Sequence, residues 1–308
     1  MNITAKMVKE LREKTGAGMM DCKKALTATD GDMDKAVDYL REKGLGAAEK
    51  KAGRIAAEGV AAVKVSEDGK SGSIVEINAE TDFVAKNEKF LEYVNKVIEQ
   101  VSKTGATDID EFLAEPWEFD TSKTVAEELS SQISLIGENM NIRRFDKISS
   151  DNGFVEAYVH GGGRIAVLVE MECDIDNDTV RDAAKNVAMQ VAAIAPKYLN
   201  RDTIPQEYIE HEQEILKSQA VNEDPNKPEN IIEKIIMGRL NKELKAISLV
   251  DQVYVKDSDL TVQKYLDKVA KEVGTNFTIK RFVRFETGEG LEKKEENFAD
   301  EVAKQFKN

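Results

Sequence analysis

Hydrophobic positions in residues 4–43 recur every three or four residues, in three short runs separated by glycine. The first run puts Val8 and Leu11 on one face behind Thr4, which can serve as N-cap, and Gly16 stops it. Thr15-Gly16-Ala17-Gly18-Met19-Met20 is too rich in glycine to continue as helix. A second helix is expected from about Met20 to Thr27, with Cys22, Ala25 and Leu26 inward. Gly31-Asp32 turns the chain into a third, which carries Ala36, Val37 and Leu40 and which Gly44 should end. Met19 and Met20 cannot both point inward from one turn, so one is expected to face out as an adaptable docking surface. Residues 45–57 have strong helix propensity but little apolar asymmetry, and read as a semi-rigid linker.

From residue 58 the period changes to two, and the pattern repeats. Residues 59–76 align without gaps on residues 153–170, an offset of 94. Gly59-Val60-Ala61-Ala62-Val63 answers to Gly153-Phe154-Val155-Glu156-Ala157, and Ile74-Val75-Glu76-Ile77 to Leu168-Val169-Glu170-Met171. Each copy reads as two alternating strands around a turn. The helical patterns that follow, 90–101 and 180–191, align at an offset near 90. The first copy therefore holds about four extra residues between strand and helix, within 81–87. Residues 124–145 later match 261–282 at an offset of 137, so the second copy carries 47 further residues near 200–250.

That insertion pairs Ile209 with Leu216 and Tyr208 with Ile215 at heptad spacing, and breaks at the proline-containing stretch 221–228. Ile232, Ile235, Ile236, Leu240, Leu244 and Ile247 then form an apolar stripe. An antiparallel, coiled-coil-like hairpin is expected. The first copy has its own excursion at 104–123, with Pro116 and Trp117, to which no role is assigned. After Gly288-Glu289-Gly290 a last helix should carry Leu291, Phe298, Val302 and Phe306. The expected organisation is α+β: a helical module at 1–44, a linker at 45–57, core subdomains at 58–148 and 149–288 with the hairpin at about 204–250, and a C-terminal helical module at 289–308.

Composition narrows the function. The net charge of −14 argues against a protein that coats nucleic acid. No apolar run approaches a membrane span, and the N-terminus has no secretion pattern. Two distant cysteines in no metal-like spacing fit a reduced, cytoplasmic setting. Catalytic constellations are missing from the pattern. Gly161-Gly162-Gly163-Arg164 joins two strand runs and lacks the Lys-Ser/Thr of a phosphate loop. Asp174, Asp176 and Asp178 have the spacing of a calcium loop, but Thr179 and Lys185 stand where it needs Gly and Glu, so helix capping is the better account. His160 and His211 are the only histidines and sit beside no nucleophile. No cofactor is expected.

The connector Thr81-Asp82-Phe83-Val84 stays open on pattern alone. Thr81 or Asp82 can cap the next helix. Phe83 is then either a staple on that helix or a side chain offered to a partner.

Several runs resemble bacterial elongation factor Ts: Val8-Lys9-Glu10-Leu11-Arg12 with 15–26, Thr81-Asp82-Phe83-Val84-Ala85-Lys86, Ile136-Gly137-Glu138-Asn139, His160-Gly161 and Arg284-Phe285-Glu286. They fall in order along essentially the whole chain. The resemblance implies a ubiquitin-associated-like N-terminal module, a duplicated α/β core, an inserted helical hairpin and a C-terminal helical module. It implies a guanine nucleotide exchange factor, not an enzyme, whose partner is the translation GTPase elongation factor Tu. It assigns docking on the nucleotide domain to Arg12, Met19, Met20 and Lys23, and disturbance of the magnesium site of Tu to Thr81, Asp82, Phe83 and Val84. Ile136, Gly137 and His160 are also implied to face Tu. The competing reading is an adaptor that binds partners through the N-terminal module alone.

Overall fold

The two alternating repeats become two three-stranded antiparallel sheets. The computed structural model describes residues 3–223 and 228–292. In the first sheet β1 (Glu58–Val65), β2 (Ser71–Ala79) and β3 (Met140–Ser149) lie in that order, with β2 central. In the second, β4 (Gly153–His160) and β5 (Ile165–Glu172) are joined by the strand at Thr278–Glu286, with β5 central. The duplication extends to irregularities: the register shifts between Glu76 and Ile77 in one sheet and between Glu170 and Met171 in the other.

The sheets stack face to face. Ala61, Ile74 and Ile148 meet Val155, Ala166, Leu168, Val283 and Phe285 in one apolar layer. The outer faces are covered by helices, which is why the central strands are buried on both sides. Over the first sheet lie α5 (Glu88–Lys103) and α7 (Val125–Ile136), whose Phe90, Val94, Val97 and Val125 cover Val75 and Ile77. Over the second lie α8 (Asp178–Ile194) and α11 (Val262–Val273), whose Val187, Val191, Leu266 and Val269 cover Val167, Val169 and Met171.

Each hairpin turn grips the other half. The Val155 amide donates to the Gly69 carbonyl at 2.8 Å, and the Ala61 amide donates to the Gly163 carbonyl at 2.7 Å. These are the same contact made twice, since 61 and 155, and 69 and 163, are duplicate positions. Glycine is required at both turns. Gly163 has φ +98°, and an added Cβ would stand 2.6 Å from Val60 Cγ1; Gly69 has φ +67°, and its Cβ would stand 2.3 Å from Arg181 Nη2. Arg181 is held there by Asp176 at 2.6 Å and by the Val155 carbonyl at 3.0 Å. The acidic stretch before α8 is thus structural: Asn177 caps the helix, Asp176 orients Arg181, and Asp174 accepts from Thr275.

A third tie fixes the turn after the last strand of the second sheet, β8 (Thr278–Glu286). The fully buried Glu76 carboxylate accepts from Arg143 (3.0 Å), Arg144 Nε (2.6 Å), Asn78 Nδ2 (3.0 Å) and the Gly288 amide (2.8 Å).

The N-terminal helices α1 (Ala5–Thr15), α2 (Met19–Ala28) and α3 (Met33–Glu49) enclose Leu11, Cys22, Ala25, Leu26 and Ala36. Gly44 does not end α3. It is buried in mid-helix, with space beside it only up to Ser134 Cβ of α7, so its smallness serves close helix packing. Arg41 donates to the Ser122 carbonyl and to Glu127, and Lys51 donates to the Ile133 carbonyl. The first half of the expected linker is therefore helix lying on the core. Met19 and Met20 are both exposed, at 60% and 64%.

Between β2 and α5 lies the short α4 (Asp82–Ala85), and α6 (Ile109–Ala114) lies in the excursion, where Trp117 is buried beside Tyr93 and Phe119. The insertion forms α9 (Gln206–Glu223) and α10 (Glu229–Ile247), packed through Leu216, Leu240 and Leu244. Ile215, one of the heptad-spaced pair, is exposed instead. A small hairpin, β6 (Val253–Tyr254) and β7 (Asp257–Thr261), follows. The expected C-terminal helix with Phe298, Val302 and Phe306 lies outside the described residues.

Two described non-glycine residues, Asp30 and Ala195, take left-handed backbone, which Asp tolerates better than Ala. Ala195 closes α8 with φ +49°, ψ +57°. A left-handed non-glycine residue costs about 1–2 kcal/mol, and glycine's extra freedom in the unfolded chain returns about 0.4–1. Ala195→Gly is therefore expected to raise stability by about 0.5–1 kcal/mol, read as an upward shift of the urea midpoint.

Candidate functional site

The first copy absorbs its extra residues as a second helix start. β2 ends at Ala79, and Thr81 in extended conformation caps α4, its hydroxyl accepting from the Val84 amide at 3.3 Å. Two residues after α4, Asn87 caps α5 by accepting from Lys89 at 2.9 Å. Two caps within seven residues satisfy the amides of both helix starts. No residue of α4 is fully buried. Val84 and Ala85 lean on the core, whereas Phe83 is 82% exposed, the most exposed large apolar side chain among the described residues. The staple reading of Phe83 is thereby set aside. Asp82 pairs with Lys86 at 2.6 Å, and that hydrogen bond holds its carboxyl below the ordinary range.

A polar clamp holds this element. Glu138 accepts from the Thr81 amide (3.0 Å) and the Thr81 hydroxyl (2.7 Å). In return Glu80 accepts from the Asn139 amide (2.6 Å) and pairs with Arg54 (3.4 Å). Asn139 is buried and donates to the Arg54 carbonyl at 2.8 Å. The loop that supplies Glu138 leaves α7 through Gly137, a left-handed C-cap with φ +93°. Gly137 is exposed and Ile136 half-buried. The structure therefore brings Ile136 and Gly137 next to Thr81, Asp82, Phe83 and Val84. Glu138 and Asn139 belong to the motif Ile136-Gly137-Glu138-Asn139 without an evident task there, and Glu80 lies just before Thr81; the available signal was a carboxylate directly following a glycine helix stop.

His160 is exposed at the end of β4, hydrogen-bonded through Nδ1 to the Tyr158 hydroxyl at 3.0 Å. It belongs to the second sheet, yet its turn reaches the same end of the core: Gly163 packs on Val60, which pairs with Ile77, two residues before Ala79. The Gly288 turn meets Ala57 there as well. In the N-terminal module Arg12, Met19, Met20 and Lys23 are all exposed. Arg12 and Met19 line a cleft of about 790 Å³ between the module and α7, together with Leu40, Lys89 and Leu135.

Met19, Met20 and Phe83 are exposed here together with Arg12, Lys23, Asp82 and His160. Cys22 and Cys173 are buried. Among the described residues no cluster of His, Cys, Asp and Glu could hold a metal ion, and no helix is long and apolar enough to cross a membrane.

A family model for elongation factor Ts matches residues 80–289. The elongation factor Ts of Clostridium novyi (strain NT) is 55% identical over 304 residues, covering 99% of both chains. That of Clostridium perfringens (strain 13 / Type A) is 55% identical over 302 residues and 98% of both. This chain belongs to the elongation factor Ts family. The span shared with these elongation factor Ts relatives takes in the helical module as well as both sheets. The elongation factor Ts model itself begins at Glu80, the first residue of the clamp.

Proposed function

We propose that this chain is the guanine nucleotide exchange factor for elongation factor Tu. It docks through Arg12, Met19, Met20 and Lys23 of the helical module and through the His160 turn, and inserts the Thr81-Asp82-Phe83-Val84 element near the magnesium site of Tu. The observation that carries the reading is Phe83, a large apolar side chain left 82% exposed on a clamped helical turn that the duplicate half lacks. Family membership supports it. No covalent bond changes, so the chain acts as a binding protein and needs no cofactor.

Free energy sets the scale of what insertion achieves. Guanine nucleotide held at nanomolar affinity is bound by about 12 kcal/mol. Burying one Phe contributes about 1.5–3 kcal/mol, equivalent to one or two decades in affinity. The remaining weakening comes from the docking contacts acting on the same change in Tu. Coupling is reciprocal: if this chain weakens nucleotide binding, nucleotide weakens the binding of this chain, so GTP dissolves the complex that GDP has left. Asp82 supports the element through Lys86 rather than by binding metal.

The test is release of labelled GDP from purified elongation factor Tu, with and without this chain. Acceleration at substoichiometric concentrations is expected. An unchanged release rate at micromolar concentrations would remove the reading.

A further inference from the structure

We infer that Glu138 is a positioning residue for nucleotide exchange: by holding both the amide and the hydroxyl of Thr81, it presents Phe83 ready for insertion. The inference rests on the exchange reading above. Its basis is what fixes α4: Val84 and Ala85 lean on the core, and beyond that packing the turn hangs on its cap. The helix has four residues, none fully buried, too few to hold themselves without a cap and an anchor. Its cap is Thr81, and the Thr81 side chain is shared: the hydroxyl accepts from Val84 and donates to Glu138. The Glu138 carboxylate thus sets the rotamer of the residue that starts the turn. Hydrogen bonds to an ionised carboxylate are the stronger kind, and two to one group fix direction as well as distance.

The duplicate half supplies the comparison. The positions equivalent to Glu80 and Glu138 are Asp174 and Thr275, joined by a single bond at 3.1 Å. One such clip is what the fold uses to close strand to loop. The first half has a longer connector and has added the pair from Thr81 to Glu138. The addition coincides with the exposed Phe83, so its task is to aim that side chain. It also joins Phe83 mechanically to Ile136 and Gly137, so contacts made by that loop and by the insertion are one event.

Labelled GDP release from Tu is measured against increasing concentrations of the full chain. Glu138→Ala is expected to lower the maximal rate about tenfold and to leave the half-saturating concentration within about threefold. Glu138→Gln, which keeps an acceptor, should recover part of the loss. In a Phe83→Ala background, Glu138→Ala should change the rate less than about twofold, because there is no longer a ring to aim. In the free protein, amide exchange at Val84 and Ala85 should quicken about tenfold in Glu138→Ala while the sheets keep their protection. Equal losses in both backgrounds, or unchanged protection at Val84 and Ala85, would overturn the positioning role. If instead Phe83→Ala exchanges at the wild-type rate, the exchange reading fails, and amide exchange alone decides what Glu138 holds.

Discussion

Phe83→Ala is expected to slow catalysed GDP release by tenfold or more while leaving the protein as stable as before. The two halves of this expectation come from the same number. At 82% exposure the ring gives the folded chain little burial, and substitutions at such positions stay within about 0.5 kcal/mol. The melting temperature should therefore shift by less than about 2 °C. If the ring is buried in the complex as proposed, its loss returns about 1.5–3 kcal/mol to the barrier, one to two decades of rate. Phe83→Leu should fall between, since it keeps bulk but loses the ring. Melting temperature and exchange rate per folded molecule are read on one preparation. A lowered melting point with unchanged exchange would return Phe83 to the role of a staple.

Glu76→Ala carries the largest expected cost in stability, about 3 kcal/mol or more by urea denaturation. Its carboxylate is fully buried with four donors. Truncation leaves the Gly288 amide without its acceptor and takes one acceptor from each of Arg143 and Arg144, which keep their bonds to Glu289. The two guanidinium groups are partly exposed and recover some hydration, which places the cost at the lower end for a broken buried pair. The effect has a pH signature. Burial pushes the Glu76 carboxyl up, but the Gly288 amide, Asn78 and Arg144 outweigh it and hold it below the ordinary carboxylate range. A carboxyl lowered on folding stabilises the protein above its unfolded value, and this is lost as pH falls through the folded value. Wild type and variant should differ by a constant amount from neutrality to about pH 5, and the gap should narrow as pH falls further. A gap that stays constant to pH 3 would show that packing, not the charge, is what Glu76 contributes.

What was legible in the sequence was local or periodic. The offset of 94 between the two strand pairs became two sheets with matching bulges at Glu76 and Glu170. The part of the stripe from Ile236 to Ile247 became the packed face of α10 around Leu240 and Leu244. Readings failed where a residue answers to something distant. Gly44 looks like a helix stop, but its neighbour across 90 residues, Ser134, makes it a packing position. Trp117 drew no assignment because its burial depends on Tyr93 of a helix that precedes the excursion. The site was half legible. The extra length at Thr81–Val84 shows in the alignment of the two copies, but pairs separated by 57 and 59 residues, such as Thr81 with Glu138 and Glu80 with Asn139, leave no periodic trace.

The two turn grips have a mechanical consequence. One joins the halves at the Gly69 end of the first sheet and the other at the Val60 end, beside the exposed Phe83 element. Two fastenings at opposite ends stop sliding and hinging together. The jaws of a caliper set in this way keep their gap under load. If the Phe83 side and the His160 side bear on one partner as proposed, a core fastened at both ends should resist the load and pass the distortion to the other molecule.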